Sequence, residues 1–231
     1  MNVVLNFMTK VRRSLKGRGI VSSVILIPKR YIQRYKFRSF DLWGLVETQE
    51  MDGAEEVKKH ATKYEASNLI FFKKMFQNLD WPFQNSTYID FGCGKGASLV
   101  YAADMGFKKV IGVEFATKLA RIASENMNKY AKLKDKKVSF EVFNIDASQF
   151  EIPLDADCFY FFNPFDAVIL DLVLRNIVKS LDIRQRKILI VYLHAVHVDV
   201  IRKYNFNQIR YISPKELDIY YFGGGYVFTN N

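Results

Sequence analysis

The first forty residues of this 231-residue chain contain no acidic side chain at all. They do contain Lys10, Arg12, Arg13, Lys16, Arg18, Lys29, Arg30, Arg34, Lys36 and Arg38, which equal the whole net charge of +10. The remainder, with 24 basic and 24 acidic residues, is formally neutral. Cysteine is scarce. Cys93 and Cys158 have neither metal-ligand spacing nor the number for a disulfide framework, which points to a reducing cytoplasm. No apolar run approaches the roughly 20 residues of a membrane span. The opening "MNVVLNFM" carries its charges after the apolar part instead of before it, so no secretory signal is expected. Repeats and low-complexity tracts are also missing. With 49% hydrophobic and 15% aromatic residues, the chain is far too apolar for disorder and suffices for one well-filled domain.

What is present falls into two parts. Residues 1–60 read as a basic extension. Val4, Met8, Val11 and Leu15 lie at helical spacing, and "GLVETQEMDG" forms a loop whose "ETQE" (47–50) is either a lid or a solvated turn. Residues 61–231 read as the main domain. The run "ASNLIFFKKMFQNLDW" predicts an amphipathic helix closed by Pro82. From residue 87, strands "TYIDF", "KVIGVEF", "VSFEVFNID", "CFYFFNPF" and "RKILIVYLH" alternate with helices. "FNQIRYI" and "DIYYFGGGYVFTN" then predict a terminal hairpin turning at Gly223–Gly225. Such alternation predicts a doubly wound α/β fold. Its sheet is mostly parallel and seven-stranded, with helices on both faces and an antiparallel C-terminal hairpin.

Ligands of such sheets lie beyond the carboxyl ends of the strands. The first strand runs into Asp90-Phe-Gly92-Cys93-Gly94-Lys-Gly96, and the next ones end at Glu114, at Asp146-Ala147 and at Asn163-Pro164-Phe165. Gly92, Gly94 and Ala97 also fit a dinucleotide-binding loop. A polar or acidic residue at four successive strand ends nevertheless favours an adenosyl ligand without a pyrophosphate. A core whose glycines serve packing alone leaves Glu114 and Asp146 without a reason.

Together, the Asp90–Gly96 run, Glu114, "NIDA" (144–147) and "NPF" (163–165) resemble the class I S-adenosylmethionine-dependent methyltransferases, over roughly residues 60–231. The resemblance implies S-adenosylmethionine as donor, S-adenosylhomocysteine as product, and no metal. It further implies that the loop of Asp90, Gly92, Cys93, Gly94 and Gly96 cradles the methionine part, with Asp90 near its amino group. Glu114 accepts the ribose hydroxyls, Phe115 packs beside the adenine, Asp146 takes the adenine amino group, and Ala147 meets a ring nitrogen. A carboxylate on a vicinal diol makes two charge-assisted bonds, which gives these assignments a physical basis.

On the acceptor side, "NPF" resembles the (Asn/Asp)-Pro-Pro-(Tyr/Phe) signature of N-methyltransferases without its second proline. It also resembles the seven-stranded protein lysine methyltransferases, where "KYEAS" (63–67) would have a counterpart and Tyr64 would line the channel. Asn163, with Pro164 fixing the turn and Phe165 walling it, is then expected to orient an amine or amide nitrogen of a protein, nucleic acid or small molecule. An ordinary strand-to-helix turn is the plain alternative. His194 and His197 lack partners at ligand spacing and read as a strand-end cap or surface histidines. A non-catalytic module that keeps this fold stays open as a second class. The basic arm has three readings: a solvated face, an attachment to anionic lipid through Leu5, Phe7 and Met8, or recruitment of nucleic acid or an acidic protein.

Overall fold

The computed structural model describes residues 35–134, 139–217 and 223–230. The arm helix expected around Val4–Leu15 and the run 218–222 lie outside the described residues.

Strands β1 (Leu45–Val46) and β2 (Tyr64–Glu65) form a small antiparallel ribbon. The main sheet contains β3 (Thr87–Phe91), β4 (Lys109–Glu114), β5 (Ser139–Asn144), β6 (Ala156–Phe162), β7 (Leu189–Leu193), β8 (Asn207–Ile212) and β9 (Gly225–Thr229). Its order is β5-β4-β3-β6-β7-β9-β8. The pairs from β5 through β7 are parallel, and β9 runs antiparallel to both β7 and β8. The helices are α1 (Glu55–Lys58), α2 (Leu69–Phe76), α3 (Ala97–Met105), α4 (Thr117–Lys134), α5 (Ala167–Ile183), α6 (Val198–Ile201) and α7 (Pro214–Leu217). None among the described residues is long and apolar enough to cross a membrane.

The sequence explains these layers. Every residue of β3 and β7 is buried, as expected of strands covered on both faces. Two large cores flank the sheet. One gathers Phe72, Phe76, Tyr88, Tyr101 and Tyr160 under α2 and α3; the other gathers Phe91, Phe159, Phe161, Ile177 and Phe228 under α5. Helix α4 buries Leu119, Ala123, Met127 and Tyr130, one stripe at helical spacing, and α5 buries Ile169, Val173, Ile177 and Leu181 in the same way.

Two details differ from expectation. Helix α2 stops at Phe76, well before Pro82, because Asn78 turns the chain in the left-handed region (φ 57°), which asparagine tolerates better than most residues. Leu79 and Trp81 still pack on the core from beyond the helix. The hairpin does not turn at Gly223–Gly225. Gly225 already belongs to β9, opposite Ile212 and Leu193, and the connection from β8 includes α7. The "ETQE" stretch is a short 3-10 turn whose Glu47 and Glu50 cap one another, with neither residue buried.

The segment before the sheet is woven into the cores. Phe37, Phe40 and Leu42 join the first core, and the Phe37 ring lies 5.4 Å from that of Tyr101. Asn126 fixes this segment to the loop after β3. Its amide donates to the carbonyls of Asp41 (3.0 Å) and Lys95 (2.9 Å) and accepts from the Asp41 N–H (3.1 Å).

Candidate active site

The register aligns the carboxyl ends of the parallel strands: Phe91 beside Val113 and Phe161, Glu114 beside Asn144, and Phe162 beside Leu193. Over this edge opens a cleft whose empty space, counted out into the solvent at its mouth, is about 660 Å³. Gly92, Glu114, Phe115, Asp146, Ala147, Phe162, Pro164 and Phe165 line it from the sheet side. Met51, Val57 and the stretch His60–Glu65 line it from the other. Of the residues singled out in the sequence, Gly92, Glu114, Phe115, Asp146, Ala147, Tyr64, Pro164 and Phe165 are thus brought together. Asp90, Cys93, Gly94, Gly96 and Asn163 lie behind or beside the lining.

Glu114 is 5% exposed, and each of its oxygens already takes one backbone N–H, Oε1 from Ala116 and Oε2 from Gly94, both at 2.9 Å. Burial lifts its carboxyl to about 7 against the pull of those N–H groups. Asp90 is 3% exposed. One of its oxygens accepts from the Ser98 hydroxyl, while Oδ1 is buried with no hydrogen-bond partner. Burial, with a smaller contribution from the neighbouring Glu114 charge, takes this carboxyl to about 7 as well. A buried, unpaired carboxylate oxygen is costly and calls for a donor. Asp146 caps the turn after β5 through Oδ1, which accepts from the Ser148 N–H (2.8 Å) and hydroxyl (2.9 Å). The Cys93 thiol is buried, and burial raises it well above the usual thiol range, so it offers no thiolate.

The glycines serve the chain's own contacts. A Cβ on Gly92 would sit 2.4 Å from the Pro164 Cβ, and one on Gly94 would sit 2.1 Å from the Tyr64 ring. Both glycines have positive φ, 76° and 54°. Tyr64 therefore packs directly against the loop, with its hydroxyl donating to the Leu42 carbonyl at 2.8 Å. Tyr64 also lines the cleft, as expected of a channel residue, while its hydroxyl is engaged by the chain itself.

The Asn163-Pro164-Phe165 turn is held from several sides. Asn163 is left-handed (φ 43°), and its Oδ1 accepts from the Tyr192 hydroxyl at 3.2 Å. The Asn163 carbonyl accepts from the Thr62 hydroxyl at 2.5 Å, and the Pro164 carbonyl accepts from the Thr62 N–H at 3.0 Å. Ala61 bridges to Phe165, and the Asp166 N–H donates to the His60 carbonyl at 2.9 Å. The carbonyls expected to receive an acceptor amine are thus each engaged once, and each keeps a second lone pair. His194, one step past β7 with its ring 6.4 Å from that of Phe162, is also left-handed (φ 54°), and burial lowers its pKa. His197 precedes α6. Among the described residues no cluster of three or more His, Cys, Asp or Glu side chains could hold a metal.

His60, Thr62, Met51 and Asp166 had no signal in the sequence. His60 and Asp166 are 106 positions apart, and nothing local marks either as a site residue.

Residues 89–183, from β3 through α5, match the family described as Methyltransferase domain. The matched stretch and the sheet order are those of the class I, Rossmann-like, S-adenosylmethionine-dependent methyltransferases. Among solved structures, the magnesium protoporphyrin IX methyltransferase from Synechocystis PCC 6803 with bound SAM is similar over 96% of this chain and 94% of its own, at 13% identity and TM-score 0.50. A StiE O-MT fragment, residues 961–1257, is similar over 69% of this chain and 71% of its own, at 13% identity and TM-score 0.50. The pyocyanin biosynthetic protein PhzM shares 16% identity over 72% of this chain, at TM-score 0.50. At such identities the likeness is one of fold. The chain spans only about half the length of several of these relatives: 56% of PhzM, 55% of a longer StiE fragment and 52% of the mitomycin 7-O-methyltransferase. No curated protein matches in sequence.

Proposed function

We propose that the cleft binds S-adenosylmethionine and that the chain passes its methyl group to an amine or amide nitrogen presented at the Asn163-Pro164-Phe165 turn. The observation that carries the proposal is the convergence of Glu114 and Asp146 on one cleft, with the unpaired oxygen of Asp90 buried at the adjoining strand end. The residues fit the donor. Asp90 Oδ1 would take its ammonium group, and the second lone pairs of the Glu114 oxygens would accept ribose hydroxyls. Phe115 and Phe165 would flank the purine, and Asp146 would receive its amino group. When bound, the donor supplies a methyl group on a sulfonium. The protein's part in an in-line displacement is then placement. Asn163 Oδ1, fixed by the Tyr192 hydroxyl, and the Pro164 carbonyl can each accept one further N–H and so aim a nitrogen lone pair. Neutral acceptors suit this position, because a carboxylate against the sulfonium would favour the ground state.

The test is calorimetry with S-adenosylhomocysteine. Binding is expected, and Glu114→Ala should weaken it by about 1.5–3 kcal/mol, the range for hydrogen bonds to a charged group. A thermal melt of the variant separates this loss from that of the Gly94 and Ala116 contacts. NADH binding with no S-adenosylhomocysteine binding would overturn the proposal.

A further inference from the structure

The stretch between α1 and β2 supplies His60, Ala61, Thr62 and Lys63 to the lining of the cleft, and one of them is paired with the start of α5. His60 lines the cleft, as do Val57, Ala61, Asp146, Phe165 and Ile169. Its Nδ1 lies 2.7 Å from Asp166 Oδ2. The other Asp166 oxygen caps α5, accepting from the Val168 N–H (3.0 Å) and the Ile169 N–H (3.2 Å). Backbone contacts hold the same two residues from a second direction, through the Asp166 N–H on the His60 carbonyl and the Thr62 N–H on the Pro164 carbonyl. Burial alone would raise the Asp166 carboxyl, but the His60 contact and the two helix N–H groups keep it below the usual carboxylate range. Asp166 is therefore ionised at neutral pH, and a carboxylate on Nδ1 keeps the ring proton there. In the tautomer that this contact selects, Nε2 is a hydrogen-bond acceptor, and no described residue pairs with it. Such a carboxylate-fixed imidazole in a cleft wall has its orientation and tautomer set in advance of binding.

We propose that His60, oriented by Asp166, is a binding residue for the adenosyl end of the cofactor, its Nε2 accepting from a purine amino or ribose hydroxyl group. Ring and carboxylate act as one unit. His60 makes the contact, and Asp166 acts only through it, as a positioning residue. The inference rests on the functional proposal above, since it takes the cleft to be an adenosyl site.

The test is a double-mutant cycle read by S-adenosylhomocysteine calorimetry, with a thermal melt for each protein. His60→Ala should weaken binding about tenfold. His60→Gln, which retains an acceptor, should recover part of that loss. Asp166→Asn can still cap α5 but cannot hold the imidazole in the same way; it should weaken binding several-fold when His60 is present and leave it unchanged in the His60→Ala background. Unaltered binding that His60→Ala leaves within twofold overturns this inference and leaves the function standing. Equal effects of Asp166→Asn in both backgrounds overturn it as well, since Asp166 would then act without His60. If the unaltered protein binds no S-adenosylhomocysteine, the functional proposal falls and this inference with it.

Discussion

Two buried carboxyls near pH 7 make ligand binding depend on protons in a direction that can be worked out. Asp90 and Glu114 both rise to about 7, and burial is the largest cause for each. A carboxyl whose folded pKa is raised keeps its proton longer in the folded state. The unliganded protein should therefore lose stability as pH climbs from the ordinary carboxylate range toward 7, and level off above it. A ligand ammonium against Asp90 demands the opposite, an ionised oxygen. At pH 6 a group of pKa about 7 is about one-tenth ionised, and at pH 7.5 about three-quarters. S-adenosylhomocysteine affinity should thus rise about eightfold over that interval if one carboxylate must ionise, and further if both must, since the two titrate as a coupled pair. Binding at pH 6 should release close to one proton. Calorimetry in two buffers of different ionisation enthalpy measures that release directly. Asp90→Asn should remove its share of both the slope and the proton. A flat affinity profile, or proton uptake on binding, would refute the assignment of Asp90 to the ligand's ammonium group.

Two further outcomes follow from packing. Gly94→Ala forces a left-handed alanine whose Cβ would lie 2.1 Å from the Tyr64 ring. It should lower the melting temperature and weaken S-adenosylhomocysteine binding at least about tenfold, from backbone strain of about 1–2 kcal/mol plus the clash. Tyr64→Ala in the same chain should cost less than the sum of the two single changes, and strict additivity in denaturant unfolding would show that the ring and the loop do not meet. Deleting residues 1–30, which removes seven of the ten excess charges, should leave S-adenosylhomocysteine affinity unchanged. Phe37→Ala, at a side chain 2% exposed, should by contrast cost about 3–5 kcal/mol in urea unfolding.

What could be read from the sequence was what short stretches encode. The parallel sheet followed from periodicity, and the cleft residues Glu114, Phe115 and Asp146 followed from their places at strand ends. Each of these depends on neighbours a few positions away. What the sequence left out lies where distant chain segments decide. Nothing in "FGCGKG" shows that Tyr64, thirty positions upstream, lies on Gly94, so the glycines read as room for a ligand when they also make room for the protein. The end of α2 depended on Asn78, a residue type equally at home in other conformations.

The acceptor turn shows the same division most sharply. "NPF" invites the view that its carbonyls wait for a substrate, yet Thr62 donates to two of them from a stretch that the sequence placed at the edge of the domain. Thr62 is the kind of donor pair, one N–H and one O–H, that an incoming amine or amide would present to the same oxygens. An acceptor must therefore use Asn163 Oδ1, which Tyr192 and not Thr62 engages, together with the second lone pair of a carbonyl beside Thr62, or displace Thr62. Displacement would also loosen the His60–Asp166 contact two residues away, since the same backbone pairing holds both. Residues 60–62 and 163–166 are thereby mechanically one element.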